Sequence, residues 1–352
     1  MDIKQLLQQV VDTNASDLHL IAGISPMLRI DGELTPVPTT GILTPDQIQE
    51  LLKQSLTSEQ LERLTVNKEI DFSFPFNEKA RFRVNAYTQK LSLAAAFRRI
   101  PLAIPAIDSL GLPKIIHSFT TLRQGLVLVT GPTGHGKSTT LAAMIDEINK
   151  SRPAHIVTIE DPVEFVFKPI KSIISQREMR TDTHSWQIAL RSVLREDPDV
   201  VLVGEMRDYE TIASALTVAE TGHLVFATLH TNSAAQTIDR IVDVFPEEQQ
   251  GQVKLQLSNV VEAVFSQRLV PGVSKGRVVA YEVMLGTTAI RTAIREGKTH
   301  QIESVLETSR EAGMSTLERS LADLVKRGTI TLEVAQSWSM RPEELSRLVR
   351  SV

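Results

Sequence analysis

Residues 131–140, GPTGHGKSTT, carry the residue types needed to hold a row of phosphates. GPTGHGKS fits G-x-x-x-x-G-K-[ST], with the apolar LVLVT before it and STTLAAMIDEIN after it, the strand-loop-helix frame that the spacing requires. Gly131, Gly134 and Gly136 let the backbone N–H groups of residues 134–139 curl around an anion at a helix N-terminus, where the helix dipole favours negative charge. Thr133, His135 and Thr139 lie in the same cradle. Lys137 is expected to reach the β and γ phosphates of a nucleoside triphosphate, and Ser138 to hold Mg²⁺. His135 occupies a variable position and reads as a solvent-facing spacer that contributes its backbone N–H.

Such a loop needs acids across from it. DVVLVGEMRD is an apolar strand ending in Gly204-Glu205, where most phosphate-loop enzymes place an aspartate first. Glu205, at the carboxyl end of that strand, is the candidate for polarising an attacking water. The missing metal-side acid is expected from IEDPVE, where Glu160, Asp161 and Glu164 follow a strand expected beside the phosphate loop. In an isolated chain segment the same three carboxylates would read as a solvated turn.

HLVFATLHTN puts His223 and His230 at opposite ends of one strand, roughly 20 Å apart, so one phosphate cannot meet both. A lone histidine at a strand end is more often structural than catalytic. His230 lies at the carboxyl edge with Thr228, which leaves open a second reading as a γ-phosphate sensor. In ARFRVN, Arg81 and Arg83 alternate with Phe82 and Val84, and Arg98 and Arg99 follow in the next strand candidate. These arginines form either a solvated face or a source of charge for a γ-phosphate, supplied in cis or by a neighbouring chain.

The elements that must position these residues divide the chain in two. Residues 1–100 mix helices and strands: Ile3, Leu6, Leu7, Val10 and Val11 fall at helical spacing, SDLHL alternates, and Asp31-Gly32 marks a hairpin turn. A helix begins at Thr44-Pro45, and DFSFPF, ARFRVNAYTQ and LSLAAAFRRI are strands, the first two separated at Asn77-Glu78. This is a small α+β domain. PLAIPAIDSLGLP, with Pro101, Pro105 and Pro113, reads as a linker over 101–113. Over 114–352, the apolar runs at 126–130, 155–160, 199–204, 223–229 and 277–285 alternate with helical patterns, predicting a parallel sheet covered on both faces. From about 286 to 352 the pattern is helical, and Gly328 stops TLERSLADLVKRG.

Composition narrows the chemistry. With no cysteine, disulfides, zinc–thiolate sites and thiol nucleophiles are excluded. A net charge of −4 and 5% aromatic content provide no basic, aromatic-lined path, which argues against a nucleic-acid motor. No apolar run approaches the roughly 20 residues of a membrane helix, and the N-terminus lacks a leader pattern, so the expected compartment is the cytosol.

Taken together, GPTGHGKST, IEDPVE, VLVGEMRD and HLVFATLHTNSA resemble, in order and spacing, the Walker A, Asp box, Walker B and His box of the secretion ATPases that power type II and type IV secretion and type IV pili. The short N-terminal domain and AIRTAIRE (289–296), against a family signature AIRNLIRE, resemble the pilus-retraction branch, and the likeness runs over essentially the whole chain. Extension and type II secretion members carry a longer N-terminal region and usually a four-cysteine zinc element. Ile290/Ile294 and Arg291/Arg295 give an apolar and a basic stripe suited to docking on another protein. Position 135 usually holds serine in this branch.

The resemblance implies a PAS-like N-terminal domain before a RecA-like ATPase domain, a homohexameric ring, and ATP with Mg²⁺ held between the two domains. It implies further that Arg81, Arg83 and Arg98 complete the site, that Glu164 assists Glu205, and that His230 reports the γ-phosphate. The implied partner is the inner-membrane platform protein of the pilus machine, at whose cytoplasmic base the ring would sit. The pilin fibre would be acted on indirectly and nucleic acid not at all. An accessory paralogue of the principal retraction motor is the nearest alternative, and a RecA-type nucleic-acid motor a more distant one.

Overall fold

A computed structural model describes residues 2–30, 32–38, 41–77, 80–101, 103–274 and 276–350. Asp31 and Glu78 of the two expected turns lie outside the described residues. The chain divides into one unit of residues 1–103 with 162–166, and a second of 104–161 with 167–352.

The first unit is built on strands β1 (Asp17–Leu20), β2 (Met27–Ile30), β3 (Glu33–Pro36), β4 (Glu69–Phe76), β5 (Ala80–Gln89) and β6 (Ser92–Pro101), in the order β3-β2-β1-β6-β5-β4. Every pairing is antiparallel. Helices α1 (Ile3–Asp12), α2 (Pro45–Lys53) and α3 (Ser58–Asn67) belong to this unit. Thr44 and Thr57 open α2 and α3 with reciprocal capping boxes to Gln47 and Gln60, satisfying N–H groups that the first helical turn cannot. Alternation on β5 sends Phe82 and Val84 into a core with Leu6, Leu7, Ile48 and Leu51, and turns Arg81 and Arg83 outward.

The second unit contains β7 (Gly125–Thr130), β8 (His155–Glu160), β9 (Ile173–Glu178), β10 (Val200–Val203), β11 (Leu224–Leu229), β12 (Val261–Pro271) and β13 (Arg277–Leu285). Their order is β13-β12-β7-β11-β10-β8-β9. All neighbours are parallel except β13, which runs antiparallel to β12. Helices α4 (Ile116–Thr121), α5 (Lys137–Ser151), α6 (Trp186–Val193), α7 (Tyr209–Glu220), α8 (Ala234–Asp243) and α9 (Glu247–Val260) intersperse these strands. After β13 come only helices: α10 (Thr288–Arg295), α11 (Ile302–Thr308), α12 (Leu317–Lys326), α13 (Leu332–Trp338) and α14 (Pro342–Arg350), with short 3₁₀ turns. β7, β10 and β11 are buried at every residue, as strands covered on both faces must be.

Three expectations change. The sheet is mixed, because β12 returns through a hairpin to β13 and a short connection can only reverse the chain. β8 does not flank the phosphate-loop strand, since β11 and β10 lie between β8 and β7. The apolar stripe of α10 is not a docking surface: Ile290 and Ile294 are fully buried.

Arg291 is likewise committed inside its own unit. It donates to the Gly286 carbonyl at 2.7 Å, to the Ser258 and Asn259 carbonyls at 2.9 and 2.5 Å, and pairs with Glu262 at 2.8 Å. Those carbonyls at the end of α9 lack helical partners, so Arg291 caps α9. Thr292, Arg295 and Glu296 are the members of AIRTAIRE exposed to solvent along with the 289 side chain. Ile290→Ala is therefore expected to lower unfolding free energy by about 2–5 kcal/mol in urea titrations. Arg295→Ala should change it by no more than about 0.5 kcal/mol. Equal stability of the two variants would refute the core assignment.

Candidate active site

The site begins where β7 ends. Gly131 adopts a φ of +136°, and a Cβ there would lie 2.2 Å from the Gln267 carbonyl oxygen of β12, so only glycine fits. Gly134 and Gly136 have φ of +79° and +84°, which folds the loop back so that successive N–H groups face one concavity before α5 starts at Lys137. Gln267, itself buried, ties the tip of this turn to the first turn of α5. Its amide donates to the His135 carbonyl at 2.7 Å, and its oxygen accepts from the Thr140 hydroxyl at 2.8 Å. Arg277 Nη1 adds a bond to the Gly134 carbonyl at 3.2 Å.

Lys137 donates to the Gly131 and Pro132 carbonyls at 2.7 and 3.0 Å, with its Nζ 3.5 Å from His230 Nδ1. The Thr133 hydroxyl lies 3.2 Å from the same nitrogen. An ammonium has no acceptor capacity, so Nδ1 takes the acceptor role and Nε2–H faces Glu205 Oε1 at 3.0 Å. Arg207 holds Glu205 as a fork, Nε to Oε1 at 2.6 Å and Nη2 to Oε2 at 2.7 Å. Burial pushes the Glu205 carboxyl upward, but hydrogen bonding to Arg207 and the attraction of His230 and Arg207 outweigh it and hold the group below its usual range.

The strand ends are locked in register. Thr228 donates to the Gly204 carbonyl at 2.5 Å, and the Met206 N–H to the Thr228 carbonyl at 3.0 Å. A Cβ at residue 204 would stand 3.1 Å from the Ile159 carbonyl and 3.2 Å from Glu160 Cα. This crowding accounts for glycine where an aspartate was expected.

The structure thus joins Thr133, Lys137, His230 and Glu205, and places Gly131, Gly134, His135, Gly136, Ser138 and Thr139 in the loop and first turn of α5. It does not gather the expected metal acids. Glu160 accepts from Thr158 at 2.6 Å and Gln176 at 3.3 Å, and Asp161 faces Arg180 at 3.5 Å. Glu164 lies in the 162–166 segment of the first unit, between buried Val163 and Phe165. Among the described residues no group of three or more acids or histidines could hold a metal ion.

Arg81, Arg83 and Arg98 also belong to the first unit. Arg83 and Arg98 are cross-strand partners, Arg81 bonds to the Ser73 hydroxyl, and Arg98 pairs with buried Asp17 at 2.9 Å. His223, at the far end of β11, bonds to the Val218 carbonyl at 3.0 Å and is structural.

His135 is not a solvent-facing spacer. Its Nδ1 accepts the Leu269 N–H at 2.9 Å and its ring lies 5.6 Å from that of Trp338. Arg207, Gln267 and Arg277 were missed by the sequence reading. Arg207 stood two residues beyond a flagged acid, a legible sign; the other two lie on the β12–β13 hairpin, whose first strand was not predicted.

A family model described as type II/IV secretion system protein matches residues 1–275. The chain is 48% identical over 343 residues to the type IV pilus retraction ATPase PilT of Pseudomonas aeruginosa, covering 97% of this chain and 99% of that one. It is 47% identical over 337 residues to a twitching motility protein of Neisseria gonorrhoeae, covering 96% and 90%. A crystal structure of the pilus retraction motor PilT with bound ADP matches at a TM-score of 0.93 and 47% identity over 99% of both chains.

Arg207→Ala removes the fork that opposes burial, so the Glu205 carboxyl should titrate at higher pH, as read by carboxyl-carbon NMR. The sign follows from linkage: a depressed carboxyl contributes stability above its unfolded pKa, and that stability is lost as pH falls through the folded value. An unmoved titration in the variant would show that Arg207 does not set the charge of Glu205.

Proposed function

Because the chain belongs to the type II/IV secretion system protein family, we propose that it retracts type IV pili, using ATP hydrolysis to withdraw pilin subunits from the fibre. It is an ATPase with a RecA-like sheet domain. The continuous line from Lys137 through His230 to Glu205 and Arg207 supports this most directly, because it joins the phosphate loop to the residue that would orient water.

In this reading the loop N–H groups and Lys137 bind the β and γ phosphates, Glu205 polarises the attacking water, and His230 relays the state of the γ-phosphate. Mg²⁺ keeps several waters and phosphate oxygens as ligands and needs few protein donors. The Ser138 hydroxyl in the first turn of α5 fits that demand. Bound there, the ion would supply charge neutralisation to the phosphates.

Arg81, Arg83 and Arg98 would add positive charge from the N-terminal unit within a homohexameric ring. The ring would work at the cytoplasmic base of the pilus machine against an inner-membrane platform protein, with the fibre moved indirectly. No helix among the described residues is long and apolar enough to cross a membrane.

Glu205→Ala tests the chemistry. It should bind ADP within about threefold of wild type while phosphate release falls by about 10²-fold or more. Cells carrying it should be piliated but unable to twitch. Wild-type turnover would remove Glu205 from the mechanism, and normal twitching with turnover abolished would remove the motor assignment.

A further inference from the structure

His135 sits between two glycines in left-handed conformation, Gly134 and Gly136, the part of the phosphate loop with most conformational freedom to lose. Both its backbone and its side chain are nevertheless fixed. The carbonyl accepts from Gln267 at 2.7 Å, and the ring nitrogen Nδ1 accepts from the backbone of Leu269 at 2.9 Å, two residues farther along β12. The ring's other neighbour is Trp338, with centroids 5.6 Å apart and planes at 58°. Trp338 ends α13, and its carbonyl accepts from Arg268 Nη1 at 2.9 Å. Residues 267, 268 and 269 thus hold the loop on one side and the end of α13 on the other.

We propose that His135 is a positioning residue for nucleotide binding, stapling the tip of the phosphate loop to β12 and α13 so that its N–H groups are already convergent. Ordering a glycine-flanked loop costs binding free energy, and a staple present before the ligand arrives removes part of that cost. Nδ1 must stay unprotonated to accept the Leu269 N–H. Burial and the nearby cations Arg277, Lys137 and Arg268 push the imidazole below its ordinary value, which maintains that state. A serine or alanine at 135 cannot span to Leu269 or reach Trp338. The inference rests on the nucleotide-binding reading of the loop.

The experiment uses the full chain with Trp186→Phe, leaving Trp338 as the remaining indole. ADP with Mg²⁺ is titrated calorimetrically, turnover is measured, and Trp338 emission is followed. His135→Ala should weaken ADP binding and raise KM by about five- to tenfold, the scale of one hydrogen bond and one ring contact, with kcat within about twofold. His135→Asn places Oδ1 near the lost Nδ1 and should recover most of the affinity. Trp338 emission should shift when ADP binds and not shift in His135→Ala. ADP affinity unchanged in His135→Ala, or His135→Asn as weak as alanine, overturns the positioning role. Failure of the wild type to bind ADP overturns the nucleotide reading beneath it and this inference with it.

Discussion

One imidazole holds the site together. His230 reaches the Lys137 ammonium and Thr133 on its Nδ1 side and Glu205 on its Nε2 side, so the phosphate loop and the acidic strand end are joined by a single ring. The parallel sheet makes the bridge possible. β11 lies directly between β7 and β10, so the residue just past its carboxyl end stands between the loop that follows β7 and the acid that follows β10. Thr228 and Met206 fix the height of those ends to within a hydrogen bond.

The order of groups along the bridge constrains the chemistry: ammonium, imidazole, carboxylate, guanidinium. Glu205 is acidic in the thermodynamic sense, because Arg207 and His230 stabilise its ionised form more than burial opposes it. A carboxylate held below its usual range is a weaker proton acceptor, which suits the proposed role of orienting and polarising water. Arg207 is largely exposed at 76% of its side-chain surface, so the fork can open at little packing cost, and opening it raises the basicity of Glu205. In the proposed mechanism the direction in which Arg207 points would therefore bear on turnover together with Glu205.

The parts legible in the sequence are those in which a short run of residues carries its own geometry. GPTGHGKS names a loop because glycine conformations and one lysine suffice, and the strands at 155–160 and 223–229 announce themselves by their apolar runs, IVTI and LVFATL. β12 was illegible because α9 ends at Val260 and the strand begins at Val261, with no glycine or proline between. Its mixed sequence, VEAVFSQRLV, also breaks the all-apolar pattern. Missing that strand hid Gln267 and made His135 look like a spacer, since its partner was unseen. The α10 stripe was misjudged for a different reason: helical periodicity shows that one face is apolar but not whether the same chain already covers it. β8 was placed beside β7 because sequence order says nothing about strand order in a sheet with crossovers.

β12 also explains why the helical C-terminal part belongs to the ATPase machinery rather than hanging from it. Within one strand, Val264 and Phe265 pair with β7 in the sheet centre, Gln267 and Leu269 grip the phosphate loop, and Val270 enters the separate apolar cluster of Leu317, Leu321, Ile330 and Leu345. Strand residues rise about 3.3 Å each, so loop and cluster lie within some 10 Å on a single rigid element. A close-packed interior transmits displacement instead of absorbing it. A shift of β12 that tightens the loop must therefore be accommodated by the α12–α14 cluster, and the reverse holds equally. The loop and the last three helices are thus seated on one strand.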